Sequence, residues 1–165
     1  MQQVSVLIRL RECYDAYPGG QRISEKALQG KPNSDVEFKR IFLSKEGFEF
    51  SFSWMKSQVS FLLKQLEKKW TPLTEELICD IAYEFQEAVV EVMIKKLVRA
   101  WIAFDAKTLW LAGGVSCNDR LREYLQSYAK EKMPEVVVLR PMKKVYSMDN
   151  AAMIGLAGIL EYIHK

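Results

Sequence analysis

The stretch LWLAGGVSCNDRLREYL, residues 109–125, runs from a short apolar strand pattern into two glycines, a Ser-Cys-Asn turn and an amphipathic helix pattern. A second apolar run, EVVVLR at 135–140, follows the helix. Strand TLWLA, turn GGVSCN, helix DRLREYLQSYAKEK and strand EVVVLR together have the order and length of a βαβ crossover. That order predicts neighbouring parallel strands and an α/β sheet over roughly residues 105–165.

Working outward, MDNAAMIGLAGILEYI at 148–163 is nearly all apolar and rich in small residues, which predicts a helix buried on most sides. Upstream, Ser53 to Lys69 carries Met55, Val59, Leu62, Leu63 and Leu66 on one helical face, and Trp70-Thr71-Pro72 ends it. Thr74, with Glu75 and Glu76 behind it, opens a long helix to about Ala103. Its stripe of Leu77, Ile81, Phe85, Ala88, Val89, Val92, Leu97 and Ala100 is broad enough for a central packing helix. A helical part thus spans about 53–104. In FEFSFS the phenylalanines at 48, 50 and 52 alternate with polar residues, the period of a half-buried strand; VEFKRIFL at 36–43 is a second aromatic-rich segment, and GKPNSD at 30–35 is a loop. Residues 2–14 carry helical spacing, Tyr17-Pro18-Gly19-Gly20 breaks it, and a short helix from Arg22 to Leu28 follows.

The 165 residues suffice for one compact domain, and the net charge of +3 is the difference of many charges of both signs. No run of 18 apolar residues exists, and MQQVSVLIRLREC carries charges where a signal peptide needs an apolar stretch. A soluble, cytoplasmic protein with no membrane contact is expected. Cys13, Cys79 and Cys117 are odd in number and far apart, so they are expected as reduced thiols. The single histidine, His164, lies at the chain end and receives no role.

In an open α/β sheet, ligands bind beyond the carboxyl ends of the strands, where helix N-termini offer free N–H groups. Gly113-Gly114 holds that position. Without a Cβ, a flat ligand can approach the backbone, although turn geometry alone also uses glycine there. Asn118 has two competing uses, capping the helix or offering its amide to a ligand. Asp149 is open to the same two readings: an N-cap, or a metal ligand facing a phosphate across the sheet edge. Ser51, Ser53 and Lys56 form a polar cluster equally compatible with turn chemistry. No phosphate-binding Gly-Lys-Ser/Thr loop, nucleophile elbow or zinc-protease helix occurs in the sequence.

Taken in order, YPGG, FSFSWMK, DIAYEFQEAVVEV, LAGGVSCNDRLR and SMDNAAMIGLAG resemble the C-terminal half of the tRNA adenosine threonylcarbamoyltransferase family, long labelled glycoprotease or O-sialoglycoprotein endopeptidase. The resemblance implies the second lobe of an actin/hexokinase-like (ribonuclease H-like) fold with a helical insertion. It also implies transfer of a threonylcarbamoyl group from its adenylate to the N6 amine of the tRNA adenosine beside the anticodon. Carried over by position, Gly20 and Asn118 match adenylate contacts, Gly113 and Gly114 match the turn under the nucleotide, and Asp149 matches a ligand of iron or zinc. The partners implied are a first lobe or a protein replacing it, tRNA, and other members of the threonylcarbamoylation complex.

Departures from the family pattern are specific. The family's two metal-binding histidines, four apart on a first-lobe helix, have no counterpart here, and MQQVSVL replaces its Phe-Asp-Lys segment. Trp54 stands where the family usually has glycine, and Ser24 where many members are acidic. The leading expectation is therefore a C-terminal lobe inactive until a first lobe completes it. The alternative is a non-catalytic nucleotide-binding or scaffold paralogue; a protease role lacks any nucleophile–base pair.

Overall fold

Met55, Val59, Leu62 and Leu66 recur at helical spacing, and all four are buried in the computed structural model. The structure describes residues 19–43, 46–148 and 151–164. It divides into two compact units, one ending at Ala103 and the other spanning Phe104–Lys165. The expected helix at 2–14 lies outside the described residues.

In the first unit, helix α1 (Gly19–Ala27) begins on the two glycines that the sequence assigns to the break, earlier than the expected Arg22. Helix α2 (Ser53–Lys68) and helix α3 (Glu75–Phe104) match their expected bounds within a residue. The core they share comprises Met55, Val59, Leu62 and Leu66 of α2, Ile81 and Ala88 of α3, and Val36 and Phe38 from the preceding segment. Leu77, Phe85 and Val89 border that core. The stripe is only part of α3's burial, however: Val90, Ile94 and Val98 on another face are buried too, as a central helix requires. The Thr74 hydroxyl accepts from Leu77 N at 3.2 Å, satisfying one of the free amides at the start of α3.

The predicted FEFSFS strand is not formed. Residues 46–52 have no regular structure, and Phe48 and Phe50 are exposed. Alternation identifies which side chains share a face but supplies no ladder partner. Cations of α3 take the carbonyls instead: Lys96 Nζ donates to Gly47 O at 2.8 Å, and Arg99 reaches Gly47 O and Leu43 O. Further up the segment the Gln58 amide substitutes for a strand, accepting from Lys39 N at 2.7 Å and donating to Lys39 O at 3.1 Å. The GKPNSD loop is pinned by the buried Asp80 carboxylate, which accepts from Lys31 N at 3.0 Å and Asn33 Nδ2 at 2.8 Å. Gly30 lies so close to α3 that a Cβ there would stand 2.1 Å from the Cys79 carbonyl oxygen.

Trp54 joins the border of the first core, with its ring centroid 6.4 Å from that of Phe42. It thus fills space in the helical unit. Its indole N–H is buried with no acceptor.

The second unit is the βαβ crossover read from residues 105–165. Strands β1 (Thr108–Trp110) and β2 (Val137–Leu139) pair in parallel, Leu109 opposite Val138, with helix α4 (Asp119–Lys132) between them in sequence. Leu109 is buried, as are Leu121, Leu125 and Ala129 of α4. The opposite sheet face, with Trp110, Val137 and Leu139, is exposed.

Helix α5 (Ala151–Ile163) forms as the sequence predicts, but none of its residues is buried. The expectation of burial on most sides is therefore wrong for this chain. Ile154 is 76% and Ile163 66% exposed. An apolar helix pattern signals a need for cover and says nothing of what provides it. No helix among the described residues is long and apolar enough to cross a membrane.

Candidate functional site

Two short turns leave the carboxyl ends of the two parallel strands, and the candidate site is built from them. Past β1, Gly113 takes φ 80° and ψ 168°, a conformation open essentially to glycine alone, and so swings the chain into a 3-10 turn, Gly114–Cys117. A Cβ built on Gly113 or Gly114 would meet nothing within 4 Å, so the backbone there faces open space. Asn118 then ends the turn and starts α4. Its Oδ1 accepts from Leu121 N at 2.9 Å, so the oxygen is committed to the cap.

Past β2, residues Lys144–Ser147 form the second 3-10 turn. The two turns are joined side by side. Ser116 Oγ donates to Ser147 Oγ at 3.0 Å in a buried contact, and Cys117 Sγ lies 3.4 Å from the Lys144 carbonyl as donor to it. Lys144 Nζ pairs with the Asp119 carboxylate at 2.6 Å on the outside. Below them, buried Arg122 donates from Nε to the Ser116 carbonyl. Parallel pairing brings the strand ends level, with Leu111 N donating to Leu139 O at 3.0 Å, and this sets the turns beside each other.

The sequence-predicted residues fall into three places. Gly113, Gly114 and Asn118 are brought together in the first turn. Gly20 is the second residue of α1, exposed and in the first unit, and a Cβ there would meet nothing within 4 Å. Asp149 lies outside the described residues. Ser51 serves the local backbone, its Oγ accepting from Ser53 N at 3.3 Å, which is turn chemistry. Neither Cys79 nor Cys117 is in a disulfide.

Sequence reasoning passed over Ser116, Ser147, Lys144 and Arg122 as working parts of this edge. One signal was available: Ser116 precedes Asn118, and Ser147 precedes Asp149, by the same two residues. Arg122 gave none, because an arginine in the first turns of an amphipathic helix normally points to solvent.

The family model for tRNA N6-adenosine threonylcarbamoyltransferase (TsaD) matches residues 6–156, nearly the whole chain. The chain belongs to this threonylcarbamoyltransferase family. A relative carrying that name from Bdellovibrio bacteriovorus is 40% identical over 157 residues, covering 90% of this chain and 44% of its own length. Those from Limosilactobacillus fermentum and Enterococcus faecalis are 38% and 37% identical, covering 41% and 40% of their lengths. The chain therefore spans less than half the length of the curated threonylcarbamoyltransferases it matches. Membership supports the actin-like α/β class, and the parallel βαβ unit is consistent with it.

Asp149, which the resemblance matches to an iron or zinc ligand, lies outside the described residues. Among the described residues no three His, Cys, Asp or Glu side chains group to hold a metal ion. No chemical step is assigned to one.

Proposed function

We propose that the chain is the nucleotide-bearing C-terminal lobe of a transferase that forms N6-threonylcarbamoyladenosine in tRNA. The observation that carries this is the pair of joined turns at the ends of adjacent parallel strands, one of them bare Gly113-Gly114 backbone facing open space. Backbone N–H groups in such a turn, at the start of a helix, favour the phosphate of an adenylate. In the transfer, the N6 amine bonds to the carbamoyl carbon and loses a proton, while the bond from that carbon to the phosphate oxygen breaks and adenosine monophosphate leaves. The lobe's part is to bind and orient the adenylate so that this carbon is open to attack. Gly20, Gly113, Gly114 and Asn118 are the residues assigned to that binding. Asp149 is assigned to a metal whose other ligands come from the first lobe.

The first lobe is the chief partner in this reading, whichever polypeptide carries it, since the relatives are more than twice as long as the matched region. The exposed apolar faces support such a partner: α5, and the sheet face of Trp110, Val137 and Leu139. Transfer RNA meets the assembled enzyme, with basic side chains contacting its phosphates and binding weakening as salt rises. The remaining threonylcarbamoylation proteins act with it, in the cytoplasm.

The test is to mix the chain with the first-lobe region of a threonylcarbamoyltransferase and to measure threonylcarbamoyladenosine in tRNA. Restored transfer supports the reading. A stable complex that binds adenosine monophosphate but transfers nothing overturns it in favour of a non-catalytic nucleotide-binding paralogue, and one that binds no nucleotide at millimolar concentration indicates a scaffold.

A further inference from the structure

Arg122 is the one arginine of the second unit that is buried, at 7% exposure. Its Nε donates to the Ser116 carbonyl, which aims the guanidinium at the underside of the first turn. Its Nη2 is buried with no hydrogen-bond partner, and no carboxylate among the described residues pairs with it. An arginine keeps its proton in any protein environment. A positive charge largely removed from water thus lies against the first turn, with no carboxylate partner among the described residues.

Such an arrangement is costly, and a buried polar group left without a protein partner calls for a further partner or a use of its charge. Away from water the charge is poorly screened, so its influence extends through the thin turn to whatever lies above it. The same residue also sets geometry: the Ser116 carbonyl it holds belongs to the residue whose hydroxyl ties the first turn to Ser147.

We propose that Arg122 is a positioning residue for an anionic nucleotide on the paired turns, fixing the first turn through Ser116 and placing its buried positive charge against the turn that receives the ligand's phosphate. This rests on the nucleotide reading above and adds the residue that makes the edge prefer a phosphate. The interaction acts through the turn, so Arg122 touches the protein and not the ligand.

The experiment compares two probes, adenosine monophosphate and adenosine, by calorimetry on the wild-type chain and on Arg122→Met, Arg122→Gln and Arg122→Lys. Methionine removes charge and donor; glutamine keeps a donor and removes the charge; lysine keeps the charge. The expected result is a loss of about tenfold or more in affinity for the monophosphate in R122M and R122Q, with adenosine changing by less than about threefold and R122K recovering most of the loss. Equal losses for both probes, or no loss for the monophosphate, overturn the proposal. Should R122M fail to fold, R122Q carries the same comparison. If the wild-type chain binds neither probe at millimolar concentration, the nucleotide reading fails instead. Amide exchange then still decides the geometric half: R122M must speed exchange at Ser116 and Cys117 together with Tyr146 and Ser147, and change confined to the first turn overturns it.

Discussion

The Ser116 and Ser147 hydroxyls meet at 3.0 Å in the interior of the second unit, although the residues stand 31 apart in sequence. Each sits in the turn that follows one of two paired strands, so this bond makes one edge out of two loops. Loops joined in this way lose less freedom when a ligand arrives than two loops free to move apart.

Gly113 is expected to tolerate no other residue. With φ 80° and ψ 168°, Gly113→Ala should cost about 1–3 kcal/mol, read as a lower urea midpoint with an unchanged slope. A melting curve identical to wild type would show that the turn relaxes into another conformation.

Replacing Asn118 separates capping from ligand contact. Asn118→Ala should cost about 1 kcal/mol of stability through loss of the Leu121 cap, and Asn118→Asp should restore it. If the amide nitrogen also serves the nucleotide, N118D regains stability without regaining affinity for adenosine monophosphate. Full recovery of both assigns Asn118 to the cap alone.

At Trp54 two substitutions should differ sharply in cost. Trp54→Gly, the residue usual in the family, leaves a cavity on the border of the core and should destabilise by about 3 kcal/mol or more. Trp54→Phe retains most of the ring and removes a buried N–H that has no acceptor, so its cost should be under about 1.5 kcal/mol. Urea titration of both variants measures the contrast.

Acid sensitivity of the first unit should run partly through Glu91. Burial by itself would raise its carboxyl, but hydrogen bonds from Lys95 and Arg40, with their charges, outweigh this and hold it below the usual carboxylate value. A folded pKa below the unfolded one gives stability that is present above the unfolded value and is lost as pH falls through the folded one. Glu91→Gln should therefore flatten the acid limb of a stability–pH curve while leaving the neutral region nearly parallel to wild type. The pair is partly exposed, and the effect should shrink in high salt.

Helix α5 should make the isolated chain self-associate and bind apolar dyes. The double variant Ile154→Glu, Ile159→Glu places charge on its exposed surface and should move the elution volume toward monomer. Unchanged elution would locate the association elsewhere.

Local patterns were legible in the sequence wherever the signal and the structure share one period. Helices α2 and α3 and the βαβ unit are of this kind, because helical stripes and glycine turns act within a few residues. FEFSFS failed for lack of a strand partner, a requirement that lies outside the segment itself. Burial of α5 failed for the same reason. In the candidate site, Gly113 and Asn118 were legible as turn and cap. Arg122 was not, since only tertiary placement turns a surface-type residue into a buried charge.

The exposure of α5 also bears on the life of the chain in a cell. Thirteen residues of uncovered apolar helix resemble the surface by which chaperones and proteases recognise incomplete proteins. If the first lobe proposed above covers α5, association with it would hide that surface from such recognition. On that reading, covering α5 would govern how long the chain lasts as well as whether it works.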